Sequence, residues 1–221
     1  ISAQFDILRG LRGRAILKLS VGVFVASCLV LFGVAWRQGR SFAPTWQDHH
    51  MYMLQAQMLA QGKLWMPAHP MADFFETYHV FTHGIYAAMY FPGAALMFTP
   101  GVWLHAPYWL VPLLIAAGVV TLVFQIVTEL QDAQGGLLAA LGMLALAQFR
   151  FLSIDAMSHT VALLLGLGMI RCWLLWRREF DVRWALAIGV CAGWAAITRP
   201  IDALAYAAPV GVAMAWELRR S

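Results

Sequence analysis

The chain has 221 residues, 62% of them hydrophobic and 12% charged, with a mean hydropathy of +0.69. A soluble domain is nearer half apolar, and apolar runs of bilayer length recur along this chain, which excludes an ordinary soluble domain and predicts an all-α, polytopic membrane helical bundle. The formal charge of +4 carries no nucleic-acid signature in this setting, because the placement of Lys and Arg along a membrane chain matters more than their sum.

From the N-terminus, Arg9, Arg12 and Arg14 precede an apolar run at 15–36, with Lys18 near its start. No small-residue cleavage site follows the run, so it reads as a retained transmembrane helix with its N-terminus in the cytoplasm. Residues 37–107 then form an extracytoplasmic first loop with juxtamembrane helices. Its polar part, 37–92, holds Asp48, Asp73 and Glu76 together with His49, His50, His69, His79 and His83. Within it, Met51, Leu54, Met58 and Leu59 recur at helical spacing with Tyr52 beside them, which predicts an amphipathic helix. Asp48 is placed to cap it, Gly62 to stop it, and Gln55, Gln57 and Gln61 to line its wet face.

The next apolar piece, 93–104, lies between Pro92 and Pro107 and is interrupted by Pro100-Gly101. It is too short to span, so it should lie in the outer interface as a juxtamembrane helix or re-enter. Further spans are expected at 109–128, 136–152, 158–175, 184–198 and 203–216, for about six in all. Arg171, Arg177, Arg178 and Arg183 mark a cytoplasmic end after 158–175, and Arg219 and Arg220 another after the last run. The crossing count also makes the 129–135 turn cytoplasmic, although it carries only Glu129 and Asp132. This topology sends three polar clusters to one side: the first loop, the 150–159 turn and the 198–202 turn. Cys28, Cys172 and Cys191 fall inside apolar runs and read as small core residues. A start at Ile1 and an end just past an apolar run read as a fragment of a longer chain.

Asp48, at the head of "DHHMYMLQAQMLAQGKLW", admits two readings: a helix cap, or a carboxylate with chemistry to do. The stretch resembles the first-loop signature of GT-C glycosyltransferases, the membrane enzymes that use polyprenyl-phosphate sugars. The likeness is to bacterial relatives of the protein mannosyltransferases and of the aminoarabinose lipid A transferase. "FFETYHV", "MYFPGAALMFTPG", "APYWLVPLLIAAG", "MSHTVALLLGLG" and "ITRPIDALAYAAP" follow in matching order, and that order over residues 15–217 carries the resemblance. It implies an N-terminal catalytic module that transfers a sugar from a polyprenyl-phosphate donor to a hydroxyl of a lipid, protein or glycan acceptor. The site would face the exterior or periplasm of a bacterial inner membrane. Asp48 becomes the base, Tyr52 a substrate-binding neighbour and Glu76 the second acid, with Asp73 behind it. Many relatives carry Asp-Glu where this chain has Asp48-His49, which sets a two-acid motif at that spot in doubt.

The chemistry needs a cation to receive the departing phosphate. Arg199 is expected to supply it from the outer end of a span beside Pro200, against the alternatives of snorkelling or an ion pair with Asp202. Arg150 is a second candidate, and His159 either contacts the donor or sits as a core histidine behind Ser158. His79 and His83 have i, i+4 spacing that suits a divalent metal with Glu76 on a helix, although Thr82 and Gly84 weaken that helix. His49 and His50 are adjacent and diverge. The competing readings are a transporter-like component, which would need ionisable groups at mid-membrane in broken helices, and a non-catalytic membrane scaffold.

Overall fold

The computed structural model describes residues 2–220; the side chains of residues 2–12, including Arg9 and Arg12, and of Phe75 lie outside that description. The described chain is mostly helical. Four helices are long and apolar enough to cross a membrane: α1 (Ser2–Arg37, apolar over Gly13–Arg37), α4 (Leu110–Leu130), α7 (Ser158–Glu179) and α9 (Pro200–Leu218). Two of the expected spans are shorter. At 136–152 the chain forms α5 (Ala133–Ala145, 13 residues) and α6 (Ala147–Leu152), and at 184–198 it forms α8 (Val182–Ala196, 15 residues). At 1.5 Å per residue these rise about 20 Å and 22 Å, against a hydrocarbon core of about 30 Å.

The break in α5–α6 falls at Leu146, whose backbone is extended. The Arg150 guanidinium folds back onto the carbonyls of Leu144 and Ala145. It thereby satisfies acceptors that the end of a helix leaves unpaired.

α7 is the hub, packed on α4, α8 and α9. Helices in lipid gain little from apolar burial alone, so close approach of small residues matters. A Cβ at Gly166 of α7 would lie 2.5 Å from the Tyr206 ring of α9. Two buried clusters result, one around Leu31, Leu113, Val120 and Phe124, the other around Tyr52, Phe98, Val161 and Met169. At one end of the bundle Glu129 pairs with Arg178 at 2.9 Å and lies 3.9 Å from Arg171. The 129–135 turn therefore shares an end with the arginine-rich 177–183 turn, the end to which the crossing count assigned it.

The segment between α1 and α4 holds α2 (Gln47–Ala60), α3 (Gly93–Trp103) and a small antiparallel sheet. The strands are β1 (Met66–Pro67), β2 (Val80–Phe81) and β3 (Ile85–Ala88), in order β1-β3-β2, with Met66 opposite Tyr86 and Val80 opposite Ala88. α2 stops as expected: Gly62 takes φ +71, and Gly62 and Lys63 donate to the carbonyls of Leu59 and Met58 at 2.9 and 3.0 Å. Its start differs from expectation. Trp46 holds the cap position and Asp48 lies inside the first turn, with no side-chain cap. Gln55 also departs from the wet face, because its amide donates to the Tyr90 carbonyl at 2.9 Å and is buried there.

Candidate functional site

Tyr90, just before α3, organises the site. Its ring stacks on Tyr52 of α2 at 4.8 Å and 16°, and on His79 at 5.1 Å and 26°. Its hydroxyl donates to Oδ1 of Asp48, and His79 Nε2 lies 3.5 Å from the same oxygen. Both contacts fall on Oδ1, leaving Oδ2 as the oxygen that neither engages. Burial first, then the Asp48 hydrogen bond, pushes the Tyr90 phenol far above the ordinary tyrosine value. It stays protonated and stays a donor. Burial likewise raises the Tyr52 hydroxyl, opposed by a hydrogen bond with Ser158 and by the nearby Arg199 charge.

Gly93 brings this group to the α8–α9 turn. Its N–H donates to the Ile197 carbonyl at 2.7 Å, and its own carbonyl accepts from Trp194 Nε1 at 2.8 Å. A Cβ there would lie 2.2 Å from Thr198 Oγ1 and 2.6 Å from the Ile197 oxygen, so only glycine allows the contact. Beyond the junction Pro200 opens α9, at the helix position where its missing N–H costs nothing. Arg199 precedes it. The Arg199 Nε donates to Asp202, and Nη1 reaches Ser158 Oγ at 3.3 Å. Tyr52, Tyr90, Ser158, Thr198, Arg199 and Asp202 line one cleft of about 360 Å³.

A second polar group lies buried beside it. Asp155, 2% exposed, pairs with Arg40 at 2.7 Å, and His49 Nδ1 lies 3.9 Å from its other oxygen. Arg40 also donates to the carbonyls of Arg150 and Phe151 and lies over the Phe151 ring. The N–H of Ala156 donates to the Tyr108 hydroxyl at 2.9 Å. Burial pushes the His49 imidazole below the ordinary histidine value, outweighing the charges of Asp155 and Asp48.

The structure thus brings Tyr52 and Arg199 together in one cleft, and Asp48 adjoins it through the hydroxyl of Tyr90, which also lines it. His159 follows Ser158 on the first turn of α7 and is exposed. Glu76 is exposed at the end of a short 3₁₀ turn, and among the described residues no hydrogen bond or ion pair joins it to Asp48. Arg150 is occupied in capping α5. His79 and His83 flank β2 instead of sharing a helix turn, and His79 alone faces Asp48. Among the described residues no three His, Cys, Asp or Glu side chains cluster as a metal site. Asp48 and His79 fall short of the ligand set of a catalytic zinc.

Sequence reasoning missed Tyr90, Asp155, Arg40 and Ser158 as functional neighbours, whereas the Arg199–Asp202 ion pair weighed there as an alternative is formed. Two signals were present. Arg40 is a cation in the loop expected on the side that positive charge avoids, and Asp155 is the one acid in the 150–159 turn. No protein-family model, no curated protein and no solved structure matches the chain.

Proposed function

We propose that this chain is the catalytic module of a GT-C-type glycosyltransferase, working at the extracytoplasmic face of a bacterial inner membrane. The observation that carries the reading is a single cleft lined both by Arg199 and by Tyr90, the residue whose hydroxyl holds the Asp48 carboxylate. The donor is a polyprenyl-phosphate sugar. Asp48 Oδ2 takes the proton from an acceptor hydroxyl as its oxygen attacks the anomeric carbon. The bond from that carbon to the phosphate oxygen breaks, and polyprenyl phosphate leaves with the electron pair. Arg199 meets the charge growing on that phosphate, while Tyr90 fixes the carboxylate and Tyr52 packs behind it. Six crossings, with α5–α6 and α8 as the two short ones, put the cleft, the long first loop and the 150–159 turn on the outer side. The Glu129–Arg178 end then faces the cytoplasm, in keeping with the excess of basic residues there.

Membranes containing the full-length protein should consume one member of a panel of polyprenyl-phosphate sugars in the presence of lipid, peptide and glycan acceptors. Asp48→Asn keeps a hydrogen-bond acceptor for Tyr90 but cannot take a proton. It should unfold at the wild-type temperature while losing about 10²–10⁴-fold in transfer rate. Near-normal turnover by the Asn variant would remove the enzymatic reading.

A further inference from the structure

We propose that Asp202 is a built-in competitor that lets the used lipid phosphate go; this rests on Arg199 being the donor-phosphate cation. The carboxylate holds the Nε edge of the guanidinium, Ser158 holds Nη1, and all three residues line the cleft. The Arg199 and Asp202 side chains are 36% and 42% exposed. An ion pair this open to water exchanges partners at little cost, so a phosphate entering the cleft and Asp202 compete for the same fork.

The chemistry of the reaction gives that competition a direction. The donor is a phosphodiester and carries one negative charge. The product is a phosphomonoester, whose second ionisation falls near pH 6, so at pH 7.5 it is mostly a dianion. An unpaired arginine would therefore hold product more tightly than donor, and the enzyme would stall on it. A fixed carboxylate in the same cleft repels each anion in proportion to its charge, and so weakens product binding more than donor binding. Asp202 is a positioning and selectivity residue in this scheme, not a catalytic one.

The test measures binding of polyprenyl monophosphate and of its methyl ester, a stand-in for the diester donor, to the full-length protein in detergent at pH 7.5. Asp202→Asn should bind the monoester about tenfold more tightly and the methyl ester about threefold more tightly. Asp202→Ser, which also removes the charge, should agree, and Asp202→Glu should return both affinities toward wild type. In turnover the Asn variant should show stronger inhibition by polyprenyl monophosphate. If Asp202 only holds Arg199 in place, the neutral variants will bind both lipids more weakly, and equal or weaker monoester binding overturns the proposal. Arg199→Ala separates the two levels. Unchanged binding in that variant removes the donor-phosphate assignment itself. Weaker binding there, with no tightening at Asp202, removes only the competitor role.

Discussion

Two acid–base groups lie at the same end of this bundle, and they are built to opposite specifications. Asp155 and Arg40 are 2% and 14% exposed and meet at 2.7 Å, and Arg40 is further bound by two backbone carbonyls. Asp48 and Arg199 are 37% and 36% exposed; among the described residues Asp48 is held on Oδ1, and Arg199 by Asp202, itself open to water, and by Ser158. A buried pair is costly to break and cannot exchange partners, which suits a keystone. A half-exposed charge that retains a free oxygen or N–H is available to a substrate. Under the proposed function, the more buried ion pair therefore marks architecture, and the more exposed charges are the ones placed to meet a substrate.

The sharpest way to break that contrast is at the keystone. Arg40→Ala leaves Asp155 charged and buried without its partner, and should cost about 3 kcal/mol of stability, read as a lower unfolding temperature in detergent. Pairing Arg40→Met with Asp155→Leu should recover most of it. A stable single variant would show that water reaches Asp155 and that the two groups are alike in their access to solvent. The middle-sized effect belongs to the cleft. Tyr90→Phe keeps the ring stack with Tyr52 but drops the hydroxyl from Asp48, and should lower kcat about tenfold, the scale of one hydrogen bond to a charged group. Binding of polyprenyl monophosphate should not change, and a matching loss of affinity would mean that Tyr90 holds the cleft together and does not aim its carboxylate.

The smallest effect is a pH dependence at the seam between the two groups. His49 titrates lower in the folded protein than in the unfolded chain, so the unfolded chain takes up its proton first as pH falls. Its contribution to stability is fully present above about pH 6.5, the ordinary histidine value, and declines as pH drops through that value. His49→Gln should flatten this part of the stability profile, measured by unfolding between pH 5 and 7.5. A variant with the same acid sensitivity as wild type would place the proton uptake elsewhere.

Much of this arrangement was legible in the sequence where local rules decide it. Helical spacing and Gly62 located α2, the prolines located α3, and the placement of arginines sent the 150–159 and 198–202 turns to the end that holds the first loop. The failures have two causes: a distant partner, or a competing local contact, overrode the expected rule. Asp48 has the composition of a cap, but Tyr90, 42 residues on, engages its carboxylate while Trp46 takes the cap position. Gln55 is polar and has the spacing of a wet face, yet the Tyr90 carbonyl buries it. Arg150 has the position of an anion-binding cation, but the break at Leu146 exposes carbonyls that it satisfies first. His79 and His83 have helical spacing, and the pairing of β2 with β3 replaces the helix. Arg40 and Asp155 are 115 residues apart, and no pattern within either segment announces that they meet.

The Gly93–Ile197 hydrogen bond also sets a timetable. One wall of the cleft is encoded around residue 90 and the other around residue 199, and the splice between them needs the carbonyl of Ile197. At about 5–20 residues per second, a ribosome takes roughly 5–20 s to travel from one codon to the other. During that interval Asp48 and Tyr90 are already synthesised, while Arg199 does not yet exist. Under the proposed function, the chain is therefore inert while these segments enter the membrane, and becomes competent only when the turn between α8 and α9 arrives to close against α3.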